Sequence, residues 1–274
     1  MSLKIEETSV ERMMRDADHL LKSGDLDGAR RALVEVVRSS PGDASARMFL
    51  FQLLALAGEW DKARIQLDAL AKISPEAQML SVVYGQAIAA ERERADVFAG
   101  RMLATQHVAS GWVQGVIEAL QHFGQGRIAD GEAARDAAFD VAPDTAGTLD
   151  GVAFDWISDT DGRFGPCFEA IIGGRYGLQA FDRIERIVSE GPQDLRDLIW
   201  YPVQITFRTG QSVAALLPAR YPGTELIGDP DEWLGRSTTW QDDASGSVGV
   251  GQHLWSLSNG DERGLLSLRA LVFA

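Results

Sequence analysis

The stretch GDLDGARRALVEVVRSSP, Gly24 to Pro41, is followed by GEWDKARIQLDALAKISP, Gly58 to Pro75. Gly24, Asp25, Ala29, Leu33 and Pro41 recur as Gly58, Glu59, Ala63, Leu67 and Pro75, all at one and the same offset. Two further periods carry Gly58 to Gly126 and Pro75 to Pro143, with Gly131 where Ala63 stood. The unit between is degenerate: Arg92, Val97 and Ala109 hold the Gly, Ala and Pro places, although Gly85 follows Phe51 by one period and would allow close packing there. The glycine ends a first helix, the small residue lets a second helix approach it closely, and the proline stops that second helix.

The offset, about 34 residues, is the period of tetratricopeptide repeats, and the pattern resembles a degenerate array of them. The spacing predicts helices near 8–23, 27–39, 43–57, 61–73, 76–91, 93–106, 110–124 and 129–141. In such arrays the first helix of each pair lines a concave face, and equivalent positions repeat with the period. One stripe is Met14, Met48, Val82 and Val116; a second is Asp18, Gln52, Gln86 and Leu120; a third includes Leu21 and Phe123. That floor is apolar with few polar points, which suits an amphipathic helix laid into a groove, and methionine adds adaptability. The alternative is that the stripes are interhelical core, because periodicity does not say which face is wet.

After Pro143-Asp144-Thr145-Ala146-Gly147 the character changes, and five of the seven tryptophans follow. Apolar residues come in short runs between turn signals. Asp159-Thr160-Asp161-Gly162 reads as a turn after Val152 to Ile157. Ile199–Phe207, Thr209-Gly210 and Ser212–Leu217 read as a hairpin. Val248–Leu257, Ser258-Asn259-Gly260-Asp261 and Leu265–Phe273 read as a second. Cys167–Ile172 and Gln179–Val188 are open to helix, the latter equally to strand. The fold class is therefore α+β and multidomain. Tetratricopeptide-like helical repeats span 1–145, and a mostly antiparallel β domain, a small open barrel or roll, spans 149–274.

Composition sets limits on function. With 26 Lys and Arg against 40 Asp and Glu, the net charge is -14, which argues against a polyanionic partner such as nucleic acid. Before Thr148 there are 22 acidic and 16 basic residues, and from there on 18 and 10, so neither part is a hidden basic module. All four lysines, Lys4, Lys22, Lys62 and Lys72, lie in the first 72 residues. The opening residues lack the apolar region of a secretory signal, and Met48 to Ala57 falls far short of the ~20 residues a membrane span requires. A cytoplasmic protein is expected.

No metal, cofactor or catalytic set is expected. His19, His107, His122 and His253 show no zinc-binding spacing. Cys167 and His253 carry no local nucleophile–base signature, and the lone cysteine reads as buried filler. Asp159-Thr160-Asp161-Gly162 fails as a calcium loop, with Ile157 and Phe168 at its first and last ligand places. No phosphate-binding glycine loop is present. Arg196, Arg220 and Arg236 stand among aromatic residues and suggest either an ion-pair and stacking network that fixes loops, or an anion or catalytic site. The first reading expects Arg220 and Arg236 to be partly buried and bonded to carboxylates, with Asp194, Asp197 and Asp229 nearest in sequence.

Helical repeats followed by SDTDGRFGPCFE, GGRYG, DLRDLIW, LLPARYPGTE and GRSTTW resemble the ImpE/TagJ family of type VI secretion accessory proteins over essentially the whole chain. The family's motifs fall on Asp159, Asp161, Arg163, Gly165, Pro166, Glu169, Arg196, Trp200, Arg220, Tyr221, Pro222, Arg236 and Trp240, with no catalytic role attached to them. The resemblance implies a non-enzymatic adaptor that binds the N-terminal helix of the small sheath subunit, TssB-like, and acts with a ClpV-type disassembly ATPase. The reading from a different class is a small-ligand-binding or catalytic C-terminal domain that uses the arginine and aromatic cluster.

Overall fold

The computed structural model describes residues 9–73 and 75–274. Lys4 and the expected start of the first helix at residue 8 lie outside them. The helical stretch contains α1 (Ser9–Lys22), α2 (Leu26–Ser39), α3 (Ala44–Leu56), α4 (Trp60–Leu70), α5 (Pro75–Phe98), α6 (Val113–Gly124) and α7 (Ile128–Phe139). The chain packs as two compact units, one ending at Gly85 and one running from Gln86 to Ala274, so the boundary falls inside α5.

In the first unit the repeated residues do what their spacing implies. Gly24 and Gly58 adopt left-handed φ values of 86° and 68°, just after α1 and α3, where a side chain would be strained. Asp25 caps α2, its carboxylate accepting from Gly28 N at 2.7 Å, and Asp43 caps α3 in the same way through Ala46 N at 2.9 Å. Ala29, Leu33, Ala63 and Leu67 are fully buried. A side chain at Gly85 would meet only the end of the Arg64 side chain, a flexible group that can move aside.

The degenerate repeat is where the structure departs from the sequence reading. Instead of helices over 76–91 and 93–106, a single 24-residue helix runs from Pro75 to Phe98. Arg92 cannot supply the left-handed stop that glycine gives, and Ala89 to Ala95 is a run of good helix formers. Beyond Phe98 the helix closes with Gly100 N donating to Val97 O at 2.9 Å. The residues that follow form no helix before α6. Thr105–Gln106 is instead a short strand, β1.

The remaining strands are β2 (Gly147–Leu149), β3 (Val152–Phe154), β4 (Ile157–Asp159), β5 (Cys167–Ile172), β6 (Arg175–Ala180), β7 (Ile184–Val188), β8 (Trp200–Phe207), β9 (Ser212–Pro218), β10 (Thr238–Asp243), β11 (Gly246–Gly251), β12 (Leu254–Leu257), β13 (Glu262–Gly264) and β14 (Ala270–Phe273). Two one-turn helices, α8 (Thr224–Ile227) and α9 (Pro230–Trp233), separate β9 from β10. A nine-stranded sheet has the order β1-β6-β5-β9-β8-β7-β14-β2-β3; it is antiparallel except for β1 beside β6, and it stays open. Beside it lie a three-stranded sheet, β13-β12-β4, and the two-stranded ribbon β10–β11. Phe168, Phe181, Ile187, Ile205, Trp255 and Leu271 belong to the core under the large sheet.

The β8–β9 hairpin has the expected register, Trp200 opposite Pro218 and Thr206 opposite Ser212. Both segments left open to helix are extended, as β5 and as β6 and β7 around a short 3₁₀ turn at Phe181–Arg183. The expected second hairpin is different. Val248–Leu257 is divided at Gln252 and His253 into β11 and β12; β12 turns back onto β13, while β14 leaves to pair with β7 and β2. The division follows from His253, whose side chain is drawn into the interior between two carboxylates.

Candidate functional site

The expected groove residues separate by exposure. In the first unit, Met14, Asp18 and Met48 are half-buried, Leu21 and Gln52 are buried, and Val82 is 57% exposed. In the second, Gln86 is exposed, Phe123 half-buried, and Val116 and Leu120 are in the core. Leu120 and Phe123 help line a cavity of about 110 Å³ with Phe98, Ile128 and Arg163. Two residues that the stripes omitted stand beside Val82. Met79 is 69% exposed and Val83 is 38% exposed, and the spacing of 79, 82 and 83 places all three on one face of α5. That spacing is visible in the sequence, but the repeat register groups residues across helices and hides the period of a single one.

The family-motif residues of the second unit build a buried polar network. Arg94 on α5 forks onto Glu169 of β5, Nε to Oε1 at 2.7 Å and Nη2 to Oε2 at 2.6 Å, and Nη2 also donates to Arg220 O at 2.7 Å. Tyr176 OH donates to Glu169 Oε1 at 2.7 Å. His253 bridges two carboxylates, with Nε2 2.9 Å from Glu169 Oε2 and Nδ1 2.7 Å from Asp159 Oδ2. Tyr221 OH donates to Asp159 Oδ1 at 2.8 Å, and the Tyr221 ring lies 4.0 Å from the imidazole, centre to centre. Trp200 Nε1 donates to Glu91 Oε1 at 2.9 Å. Asp161, fully buried, accepts from Arg163 Nη2 at 2.6 Å and from Gly249 N at 3.0 Å.

The electrostatics close on themselves. Burial alone would raise Glu169, but the Arg94 charge and the bonds from His253 and Arg94 hold it at about 2. Burial alone would lower His253, and Asp159 and Glu169 overcome it, lifting the imidazole to about 9. A doubly protonated ring donates from both nitrogens, which is what two flanking carboxylates require. Neither nitrogen is left to activate Cys167, which is itself fully buried with its thiol pushed up by that burial. Asp159, Glu169 and His253 are likewise all buried. The arrangement fastens α5, β4, β5 and the turn before β12 together.

The three arginines do not converge. Arg196 pairs with Asp194 at 3.1 Å. Arg220 is buried as expected, but it donates to Trp233 O at 3.1 Å and is faced by the charges of Glu225 and Glu91 rather than by the three aspartates. Arg236 bonds to a carboxylate as expected, but to Asp231 at 3.2 Å rather than to one of the three aspartates, and it is 48% exposed. Asp229 is used to cap α9, and Asp197 accepts from the Gln193 and Asp194 backbone. Trp240 is 38% exposed, its ring 5.7 Å from that of Tyr221. His253, Arg94, Glu91 and Tyr176 were not singled out by sequence reasoning as members of a network.

Residues 151–272 match the family described as ImpE protein, and residues 20–83 match the tetratricopeptide repeat. A Pseudomonas aeruginosa protein, "Type VI secretion system accessory component TagJ", is 39% identical over 258 residues, covering 94% of this chain and 90% of its own. The crystal structure of a Vibrio parahaemolyticus protein shares the fold with a TM-score of 0.84 at 20% identity, over 94% of this chain and 97% of that one. Repeats in front, the ImpE region behind and identity running through both show that the chain belongs to the ImpE/TagJ family of type VI secretion accessory proteins.

Proposed function

We propose that this chain is a non-enzymatic cytoplasmic adaptor of a type VI secretion system. Its repeat helices take a helix of the small contractile-sheath subunit, TssB-like, and it assists the recruitment or action of a ClpV-type disassembly ATPase. The accessory role named for the Pseudomonas aeruginosa relative supports the system. The observation that carries the mode of binding is the exposed Met79, Val82 and Val83 face of α5, a strip of apolar side chains at helical spacing. A partner helix with anchors at i, i+3, i+4 and i+7 could cover it.

The competing reading, a ligand site built on Arg196, Arg220 and Arg236, has little to support it, since each guanidinium is engaged separately. Among the described residues no helix is long and apolar enough to cross a membrane. The test is affinity capture with this chain from a lysate of a host carrying the type VI genes, read by mass spectrometry. Enrichment of sheath subunits or the ATPase is expected, and their absence from a lysate that contains them would overturn the proposal.

A further inference from the structure

A surface of the second unit suggests a separate interaction. β10 pairs only with β11 among the described residues, and Thr239 to Asp243 are all exposed. Which backbone groups of β10 are free follows from its partner. Gly249 N donates away from β10 to Asp161 Oδ2 at 3.0 Å, and Gly251 N donates away to Thr224 Oγ1 at 2.9 Å. Alternation along a strand then turns Val248 and Val250 toward β10, where they oppose Gln241 and Thr239. The N–H and C=O groups of Trp240 and Asp242 therefore point outward along an unpaired edge.

We propose that this edge accepts an added strand, an extended basic segment of a protein partner. The backbone groups dictate an extended occupant, because only a strand offers matching donors and acceptors at that spacing. The side chains dictate its charge. Asp242 and Asp243 end the strand, Asp243 also accepting from Ser245 N and Oγ in the hairpin turn at 2.6 Å, while Arg236 is already paired with Asp231 on α9, which packs against β11. The whole second unit has 15 Lys and Arg against 27 Asp and Glu. Trp240, 38% exposed, gives an apolar residue of the added strand a ring to cover.

The probe is a fluorescein-labelled ten-residue peptide alternating Lys with Val and Thr, titrated into the full chain by anisotropy, with amide exchange followed by NMR. Binding should slow exchange at the Trp240 and Asp242 amides and weaken as salt rises. Asp242→Pro removes an outward N–H without touching the β10–β11 ladder and should lower affinity at least tenfold. Asp242→Asn with Asp243→Asn keeps the backbone and should weaken binding several-fold while flattening the salt dependence. The inference is overturned if the peptide fails to bind, if the folded Pro variant binds as tightly as the parent, or if a peptide with Glu in place of Lys binds equally well. It is also overturned if the edge is instead occupied by a second copy of this chain, seen as a dimer that Asp242→Pro dissociates.

Discussion

Arg94 and Glu169, far apart in sequence, meet in a two-pronged ion pair whose side chains are only 8% and 1% exposed. The planar guanidinium matches both carboxylate oxygens at once, and its Nη2 also serves the Arg220 carbonyl, so one side chain on α5 satisfies acceptors on two other segments.

Removing one partner leaves the other charged and buried. Glu169→Gln should lower folding stability by about 3–5 kcal/mol, measured by urea denaturation. Arg94→Lys in the parent should also be destabilising although it keeps the charge, because an ammonium cannot make the parallel pair of bonds.

His253 fixes how stability varies with pH. Its folded pKa of about 9 lies above its ordinary value of 6.5, so its contribution is complete below pH 6.5 and is lost as pH rises through 9. Glu169, held at about 2 from an ordinary 4.5, contributes fully above pH 4.5 and loses that contribution as pH falls toward 2. Together these two groups contribute most between about pH 4.5 and 6.5, and the His253 contribution should decline on the alkaline side by about 1 kcal/mol per pH unit. A pH series of urea midpoints on the parent and His253→Gln checks this. The variant should lack the alkaline decline, and an identical decline in both would show that another group causes it.

The two C-terminal arginines should behave differently. Arg236→Ala, at an exposed pair, should change stability by less than about 0.5 kcal/mol. Arg220→Ala, at a buried position beside Glu225 and Glu91, should cost several-fold more in the same denaturation assay.

The sequence revealed elements with a local signal and missed those without one. Gly24, Gly58 and their companions in the repeat marked helix ends close to where the structure places them, because a left-handed glycine and a small packing residue act locally. Where Arg92 replaced the glycine, the stop disappeared and two expected helices became one. The β8–β9 hairpin was legible from its Thr209-Gly210 turn, but the pairing of β14 with β7 and β2 was not, since nothing near Ala270 identifies distant partners. Asp159, Glu169, Trp200 and Tyr221 stood out through family motifs, whereas Arg94 and His253 sit in ordinary surroundings and join the network only through the fold.

The proposed binding of a sheath helix by the α5 face is tested most directly by calorimetric titration of the small sheath subunit into the chain and into Val82→Glu. At 57% exposure a charge at Val82 is tolerable for folding, which Met48, half-buried, does not guarantee. Saturable binding to the parent is predicted, reduced at least tenfold in a Val82→Glu variant with an unchanged melting temperature. Binding to the folded variant with parental affinity, or none to the parent, would rule out the α5 face as the sheath-helix site.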